Sequence, residues 1–295
     1  MSTVEDREAI RAHLVERLRE RLVLQVIAMP QSDPLALGRV RDVCDDQEAP
    51  LDEVAHAVAG NPGLAALLLR LANSAAFAGT TQIHDLSSAV VRLGRAMVRS
   101  LTFVLPAMDL LRAPDDGLRE ARVRLQRHAI RVGLVARALT RDEKAADAAL
   151  AAGILHDLGM SALSVHAPIG FRRVVEGVEA GGDLLELERR IFGFDHTEFG
   201  YALALAWSYP GPLAGVIRDH ELDEPPDVLT ATVRVADALV CEHGEGVESP
   251  GHDLGPALAL LGITRAEADE AAGATLEAAR GGGSAPTLIA LLDDL

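Results

Sequence analysis

Apolar residues recur at intervals of three and four along nearly the whole chain. This spacing places them on one face of an α-helix, and no segment shows the strict alternation expected of a half-buried strand. One stripe is especially regular and comprises Leu64, Leu67, Leu68 and Leu71. The pattern therefore predicts an all-α protein.

Capping residues divide these stripes into short helices. Asn61 followed by Pro62 is typical of a helix start, because Asn accepts first-turn N–H bonds and Pro needs no donor there. Gly60 predicts the end of the preceding helix, Leu51–Ala59. Asp85 predicts another start, before a helix over residues 86–93 that ends at Gly94.

The acidic, turn-forming stretch 113–117 is the best internal boundary. Beyond it, helices are predicted over residues 118–140, 144–157, 184–192, 196–207, 212–220 and 227–242. The last stretch is rich in Gly and Ala, so we expect a peripheral tail with a flexible joint at 281–284.

Charge and composition limit the partners and the compartment. With 28 basic and 44 acidic residues, the net charge of −16 repels a phosphate backbone and disfavours nucleic-acid binding. The two cysteines, Cys44 and Cys241, are far apart and do not suggest a disulfide framework. The N-terminal segment lacks the apolar core of a signal peptide, and the apolar runs look too short to cross a bilayer. We expect a cytoplasmic protein without a membrane segment.

Ionisable residues occupy helix positions where leucine would be expected. His128 and Asp237 each lie within an apolar stripe, and His220 follows the inward face of its own helix. His156 and Asp157 end a helix that is apolar nearly all round. Because an unpaired buried charge is costly, we expect these side chains to find partners in the core.

The set His128, His156, Asp157 and Asp237 has two interpretations. Mixed nitrogen and oxygen ligands suit manganese, iron, cobalt or magnesium better than structural zinc. Such an ion acidifies water for phosphoester hydrolysis. Alternatively, the four residues hydrogen-bond to one another and tie their helices together without a metal.

Two further pairs of residues are weaker candidates. His196 and His220 could form a second metal position, although the Asp195-His196-Thr197-Glu198 stretch resembles a capping box and so places His196 in a first helical turn. Asn73 and Ser74 either end a leucine-rich helix by bonding to nearby backbone, which is the simpler interpretation, or line a cleft for a ligand or partner.

The order of these histidines and aspartates resembles the HD superfamily of metal-dependent phosphohydrolases. Motifs in the first half sharpen the resemblance toward the HDOD domain, the HD-related output domain of bacterial signalling proteins. These motifs are Asn61-Pro62-Gly63-Leu64, Leu71-Ala72-Asn73-Ser74-Ala75-Ala76-Phe77, Ile83, Ala89 and Leu93-Gly94. Later landmarks are Glu188, His196, Gly200, Trp207, Pro210 and His220, so the resemblance spans about residues 20–242.

The resemblance implies an N-terminal helical subdomain, 20–112, packed on an HD-like subdomain, 113–243. Outside it we expect a helical N-terminal extension at 1–19 and a helical, partly flexible tail at 244–295. It also implies a regulatory role in bacterial signal transduction, acting through signalling proteins or a small-molecule ligand and generally without enzymatic activity. HDOD domains usually have a degraded ligand set, whereas this chain keeps His128, His156, Asp157 and Asp237.

The related HD-GYP phosphodiesterases, which hydrolyse cyclic di-GMP, are a poorer match. No Gly-Tyr-Pro follows Asp219-His220, and Leu158-Gly159-Met160-Ser161 replaces the segment where that family keeps a lysine. The leading hypothesis is therefore a non-enzymatic HDOD signalling module with a polar pocket that either holds a divalent metal or holds no cofactor. The alternative is a metal-dependent phosphohydrolase that uses the four-residue set, with His156 and Asp157 as its catalytic pair.

Overall fold

The computed structural model describes residues 4–27, 34–74, 77, 81–110, 117–244 and 253–280. Within these ranges every regular element is an α-helix, which confirms the predicted class. The first half contains α1 Val4–Ile27, α2 Pro34–Asp45, α3 Leu51–Ala59, α4 Pro62–Asn73 and α5 Leu86–Leu110. The second half contains α6 Arg119–Leu139, α7 Glu143–Leu155, α8 Leu158–His166, α9 Pro168–Glu179, α10 Leu184–Ile191, α11 His196–Ala206, α12 Gly211–Asp219, α13 Val228–Glu242, α14 Gly255–Leu261 and α15 Arg265–Arg280.

The predicted caps form in the first half. Asn61 Oδ1 accepts the backbone N–H of Leu64 at 2.9 Å, so α4 begins where the sequence indicated. Asp85 Oδ1 accepts the N–H of Ser88 at 2.8 Å and starts α5. Gly94 has φ of +80°, which interrupts the helical geometry as predicted, after which the chain resumes a helix to Leu110. A glycine is suited to this break because it adopts positive φ without a steric penalty.

The predicted helices of the second half agree with the observed ones to within two residues at each end. Helices α8 and α9, between Asp157 and Asp183, were not predicted. Helix α8 is buried on almost every side and has no polar face to reveal its period. Helix α9 does carry a readable stripe, with Phe171, Val174 and Val175 buried.

The two halves share one core. Helix α5 packs against α3 and α4 in the first half and against α7 and α8 in the second. The hydroxyl of Tyr209 donates to the carbonyl of Phe103 at 2.6 Å and adds a polar tie across the same junction. Helix α1 runs through the predicted boundary at residue 19 and packs against α8 and α11.

The C-terminal region differs from the predicted peripheral tail. Helix α15 packs against α6 and α13, with Ala268, Ala272 and Leu276 fully buried. Alanine side chains are small enough to allow this close approach. Because alanine is only weakly hydrophobic, the sequence of α15 does not show a clear apolar face that would predict the contact. The predicted joint at 281–284, the boundary stretch 113–116 and the motif residues Ala75-Ala76 lie outside the described residues.

One described segment is long and apolar enough to cross a membrane by composition alone. It runs from Ala145 to His166, and 89% of its window is buried inside the fold. The segment joins α7 and α8, the most central helices around the His156-Asp157 pair. The expectation that every apolar run is too short was wrong here, because two consecutive core helices form one continuous apolar stretch.

Candidate metal centre

The ionisable side chains that the sequence placed on apolar faces meet in one buried cluster. They come from five places in the helical bundle, and each residue as a whole is at most 9% exposed. The cluster consists of His128 in α6, His156 and Asp157 in the turn between α7 and α8, His196 at the start of α11, His220 after α12, and Asp237 in α13.

The first group in this cluster contains His128, His156, Asp157 and Asp237. The Nε2 atoms of His128 and His156 are 3.3 Å apart. Asp237 Oδ1 lies 3.0 Å from His128 Nε2, and Asp157 Oδ2 lies 3.2 Å from His156 Nε2. Two nitrogens and two carboxylate oxygens therefore converge on one small volume, which we name the first position.

A second group lies on the other side of Asp157. The Nε2 atoms of His196 and His220 are also 3.3 Å apart. Asp157 Oδ1 lies 3.5 Å from the first of these nitrogens and 3.6 Å from the second. Glu221 Oε1 lies 3.8 Å from both, so the second position has the same mixed nitrogen and oxygen character.

Asp157 is shared by the two positions. Its Oδ2 faces the first position and its Oδ1 faces the second. Oδ1 is buried and makes no hydrogen bond within the structure. A buried carboxylate oxygen without a hydrogen-bond donor is costly, and a cation in the second position would satisfy it. The residues present therefore fit a pair of divalent ions.

In three of the imidazole rings, hydrogen bonds from the Nδ1 atom, on the side away from the cluster, fix the orientation of the ring. His156 Nδ1 donates to the carbonyl of Gly153 at 2.7 Å, and His220 Nδ1 contacts two backbone carbonyls at 3.2 Å. His196 Nδ1 donates to Glu188 Oε2 at 2.8 Å. Because these acceptors hold a proton on Nδ1, the Nε2 lone pair of each ring points into the cluster. Metal-binding histidines in proteins are oriented in this way.

The electrostatics of the cluster shift several pKa values. Burial alone would lower the pKa of His196, but the Glu188 carboxylate outweighs it and raises that pKa to about 10. Burial opposes ionisation of Asp237 as well, yet its hydrogen bond with His128 lowers the pKa to about 2. For Asp157, burial is again outweighed, here by His156, and its pKa lies well below the usual range. The pKa values of His156 and His220 are raised as well, so without a metal these two rings and His196 hold protons more tightly than free imidazole does.

Close glycine contacts bring the ligand-bearing helices together. A Cβ on Gly159 would lie 1.9 Å from the carbonyl oxygen of His196 and 2.9 Å from the backbone nitrogen of Gly200. A Cβ on Gly153 would lie 2.6 Å from the Cα of Gly133. The first contact sets α8 against α11 and the second sets α6 against α7. Only glycine allows backbones to approach so closely.

Three residues that the structure places at the cluster are not among the metal ligands predicted from the sequence. Glu188 was a family landmark, and the structure shows that it orients His196 through both its backbone and its ring. Glu221 follows His220 directly in the sequence, and a carboxylate next to a candidate ligand is a signal that could have identified it. Cys241 lies 3.6 Å from Asp237 Oδ1 and one helical turn after it, so the i to i+4 spacing also held a signal.

The two weaker candidate pairs behave differently. His196 begins α11 behind the predicted capping box of Asp195 and Glu198, and its ring also enters the cluster, so its role as a metal ligand stays a prediction. Asn73 donates to the carbonyls of Leu69 and Ile83 and accepts from the Ile83 N–H. Ser74 donates to the carbonyl of Leu71 at 2.8 Å. These bonds give Asn73 and Ser74 a helix-ending role, and the ligand cleft stays a prediction.

An all-helical bundle around a buried cluster of histidines and aspartates is the architecture expected of an HD-related protein. Residues 31–222 match the HDOD domain family, and the chain belongs to that family. A curated relative, an uncharacterised protein of Treponema pallidum (strain Nichols), is 27% identical over 216 residues, which cover 70% of this chain and 41% of that protein. The matched region is thus less than half of that relative's length.

Solved structures share the fold. A candidate signal transduction protein from Marinobacter aquaeolei VT8 gives a TM-score of 0.71 at 21% identity, over 94% of this chain and 65% of that one. A candidate phosphohydrolase from Shewanella amazonensis SB2B gives 0.68 at 21% identity, over 93% and 98%. An HDOD domain protein of unknown function from Geobacter sulfurreducens gives 0.66 at 23% identity, over 96% and 93%.

Proposed function

We propose that this HDOD protein is a divalent-metal-dependent phosphohydrolase whose two ion positions share Asp157. The observation that carries the proposal is the pairing of imidazole nitrogens on both sides of that carboxylate. In each pair two Nε2 atoms lie 3.3 Å apart. At this distance the two Nε2 atoms either share a proton as a hydrogen bond or bind a common cation. Metal ions are the cations that such convergent donors bind in proteins.

The donor atoms define which ions fit. His128, His156, Asp157 and Asp237 would hold one ion, and His196, His220, Asp157 and Glu221 the other. Imidazole and carboxylate donors together suit manganese, iron or cobalt, and magnesium less well where nitrogen ligands are involved. When bound, such ions supply Lewis acidity toward phosphoryl oxygens and make water acidic enough to act as a nucleophile near neutral pH.

The chain's own residues orient the donors and limit access. The carbonyl of Gly153 and the carboxylate of Glu188 hold two of the rings in place. The side chains of Asp237 and Glu221 are 12% and 9% exposed, whereas His196 is fully buried. A phosphoester would therefore approach from the side of these two carboxylates. Their negative charge repels phosphate in the metal-free protein, so substrate binding should require the ions.

One observation favours a second candidate function, a signalling module in which the metal-loaded pocket is a sensor. The ligand set is deeply buried, and the sequence after His156-Asp157 has Leu158-Gly159-Met160 where HD-GYP enzymes keep a lysine. Slow or absent turnover would result from such restricted access. In that case the output would pass to a signalling protein or depend on a small ligand.

Metal content and turnover, measured together, test the proposal. Protein purified without chelator and supplied with manganese or iron should bind two ions and hydrolyse a generic phosphodiester such as bis(p-nitrophenyl) phosphate. Asp157→Asn should lose both ions and the activity, because one carboxylate serves both positions. His84→Ala, which alters an exposed histidine in the first half, is the matched control and should keep both properties.

Three outcomes separate the alternatives. Two bound ions without turnover on any phosphoester would overturn the hydrolase and favour the sensor. Turnover that persists in Asp157→Asn would also contradict the proposal. Protein that binds no metal, and in which Asp157→Asn only lowers the melting temperature, would leave the cluster as a structural tie between helices.

A further inference from the structure

Cys241 lies beside the first position, on the same face of α13 as Asp237. Its Sγ atom is 3.6 Å from Asp237 Oδ1. The Sγ atom, one ring nitrogen of His128 and one carboxylate oxygen of Asp237 all lie within 4.8 Å of one another. Two ligands of one ion are separated by at most about 4.4 Å, the sum of two metal–ligand bonds of roughly 2.1 and 2.3 Å. The distance from Sγ to Asp237 Oδ1 meets this limit, and the bound for the whole triad exceeds it by only a few tenths of an ångström, which a side-chain adjustment would close. Cys241 is therefore within reach of an ion that His128 and Asp237 hold.

We infer that Cys241 is an additional ligand of the first position, and that it makes this position select a softer ion than the second. The inference rests on the proposed function, since it assumes that both positions bind metal. It predicts a mixed pair of ions, with zinc, cobalt or ferrous iron at the first position and manganese favoured at the second.

Ligand chemistry supports the difference between the two positions. Thiolate favours zinc and other borderline or soft ions, whereas carboxylate and imidazole alone accept harder ones. The second position contains only the oxygens of Asp157 and Glu221 and the nitrogens of His196 and His220 among the contacts described above. The four-residue set predicted from the sequence suits harder ions better than zinc, and a thiolate ligand at the first position reverses that preference.

The thiol is also placed to lose its proton. In the metal-free protein it donates a hydrogen bond to Asp237 Oδ1. Ligation replaces that bond with a sulfur–metal bond, and the proton leaves to solvent, since the Cys241 side chain is only partly buried. Cys44 is the only other cysteine of the chain, and it is buried in α2 within the core of the first half. Burial raises the pKa of Cys44 to about 11, so that thiol stays neutral.

Cobalt(II) substitution tests the inference without an activity assay. Wild-type protein loaded with cobalt should show a thiolate-to-cobalt charge-transfer band in the near ultraviolet in addition to visible d–d bands. Cys241→Ser should lose the near-ultraviolet band and keep the visible ones, because serine preserves the hydrogen bond to Asp237 but is a hard donor. Cys44→Ala is the matched control and should retain both.

Competition between zinc and manganese gives a second readout. Cys241→Ser should bind zinc more weakly by at least about tenfold, since loss of even an outer-shell partner costs roughly that much, and its affinity for manganese should change little.

Visible bands without a near-ultraviolet band in the cobalt-loaded wild type would overturn the inference and leave the proposed function standing. A near-ultraviolet band that survives in Cys241→Ser would also overturn it. Failure to bind cobalt at all would overturn the proposed function, and this inference with it.

Discussion

At the scale of single residues, the main feature is that four imidazole rings lie in one small volume and contact one another directly in pairs. Glu188 holds His196 in place, and Asp157 lies between the two histidine pairs. Without metal, charge balance depends on protons that these rings retain. Protonation and metal binding therefore compete for the same nitrogen atoms.

The metal-free protein should show a defined stability window in pH. The pKa of His196 is raised from 6.5 to about 10, so its contribution to stability is full below pH 6.5 and is lost as the pH rises toward 10. The pKa of Asp237 is lowered from 3.8 to about 2, so its contribution is full above pH 3.8 and is lost as the pH falls toward 2. With chelator present, the melting temperature should therefore decline from pH 6.5 to pH 10.

The His196→Gln variant provides the control for this window. Glutamine can still donate to Glu188 but does not titrate, so the alkaline decline should flatten. An equally steep decline in the variant and the wild type between pH 6.5 and pH 10 would assign the effect to other groups. Circular dichroism at a series of pH values is sufficient for the comparison.

Sequence could predict His128, His156, Asp157 and Asp237 because each interrupts an apolar stripe. It could not decide how they pair, because they come from α6, from the turn between α7 and α8 and from α13, and the distances depend on how those helices cross. Glu221 and Cys241 were missed for a related reason. A charged residue after a helix and a partly exposed cysteine are ordinary surface features until the neighbouring side chains are known.

At the scale of elements, the crossing of α8 and α11 determines whether the second position forms. Gly159 and Gly200 lie at the contact between the two backbones. Helix α8 must lie against the first turn of α11, so that Asp157, just before α8, reaches His196. The position of the catalytic candidates thus depends on residues that have no side chain.

Gly159→Ala should destabilise the protein by about 3 kcal/mol, at the upper end of overpacking costs, because the atom in the way is backbone. Its Cβ would lie 1.9 Å from the His196 carbonyl oxygen. Gly215→Ala in α12 is the control, since a Cβ there has no atom within 4 Å. That change should stabilise by roughly 0.5–1 kcal/mol through helix propensity. Urea unfolding measures both, and equal effects would contradict the close-contact argument.

Helix prediction succeeded where an amphipathic face and a cap coincided, as at Asn61 and Asp85. It failed for α8, which is buried on nearly all sides, because a helix without a polar face has no periodic signal. Helix α9 was missed although Pro168 at its start and a clear apolar stripe were visible. The sequence of α9 therefore contains enough information to predict this helix.

At the scale of the whole molecule, the two halves predicted from the sequence form one continuous core. Helix α5 contacts helices of both halves. The hydrogen bond from Tyr209 to the carbonyl of Phe103 is supported by an edge-to-face contact between the two rings, 5.3 Å between centroids. A shared core of this kind favours unfolding of both halves in a single transition.

Tyr209→Phe should lower the free energy of unfolding by about 1 kcal/mol, since it removes one buried hydrogen bond and keeps the ring contact. Tyr201→Phe, at a partly exposed ring, is the control and should change stability by less than about 0.5 kcal/mol. Fluorescence of Trp207, the only tryptophan, reports on the second half, and circular dichroism reports on the whole chain. Coincident curves are expected, and separate midpoints would show that the halves unfold independently.

The sequence by itself determined the helical class, most helix boundaries and the identity of the buried histidines and aspartates. These follow from local periodicity and from the cost of burying an unpaired charge. Only the tertiary structure decided that Asp157 faces two histidine pairs, that Glu188 orients His196 and that Cys241 reaches the first position. Those relations depend on helix crossings set by glycine contacts between segments distant in sequence, which local patterns do not specify.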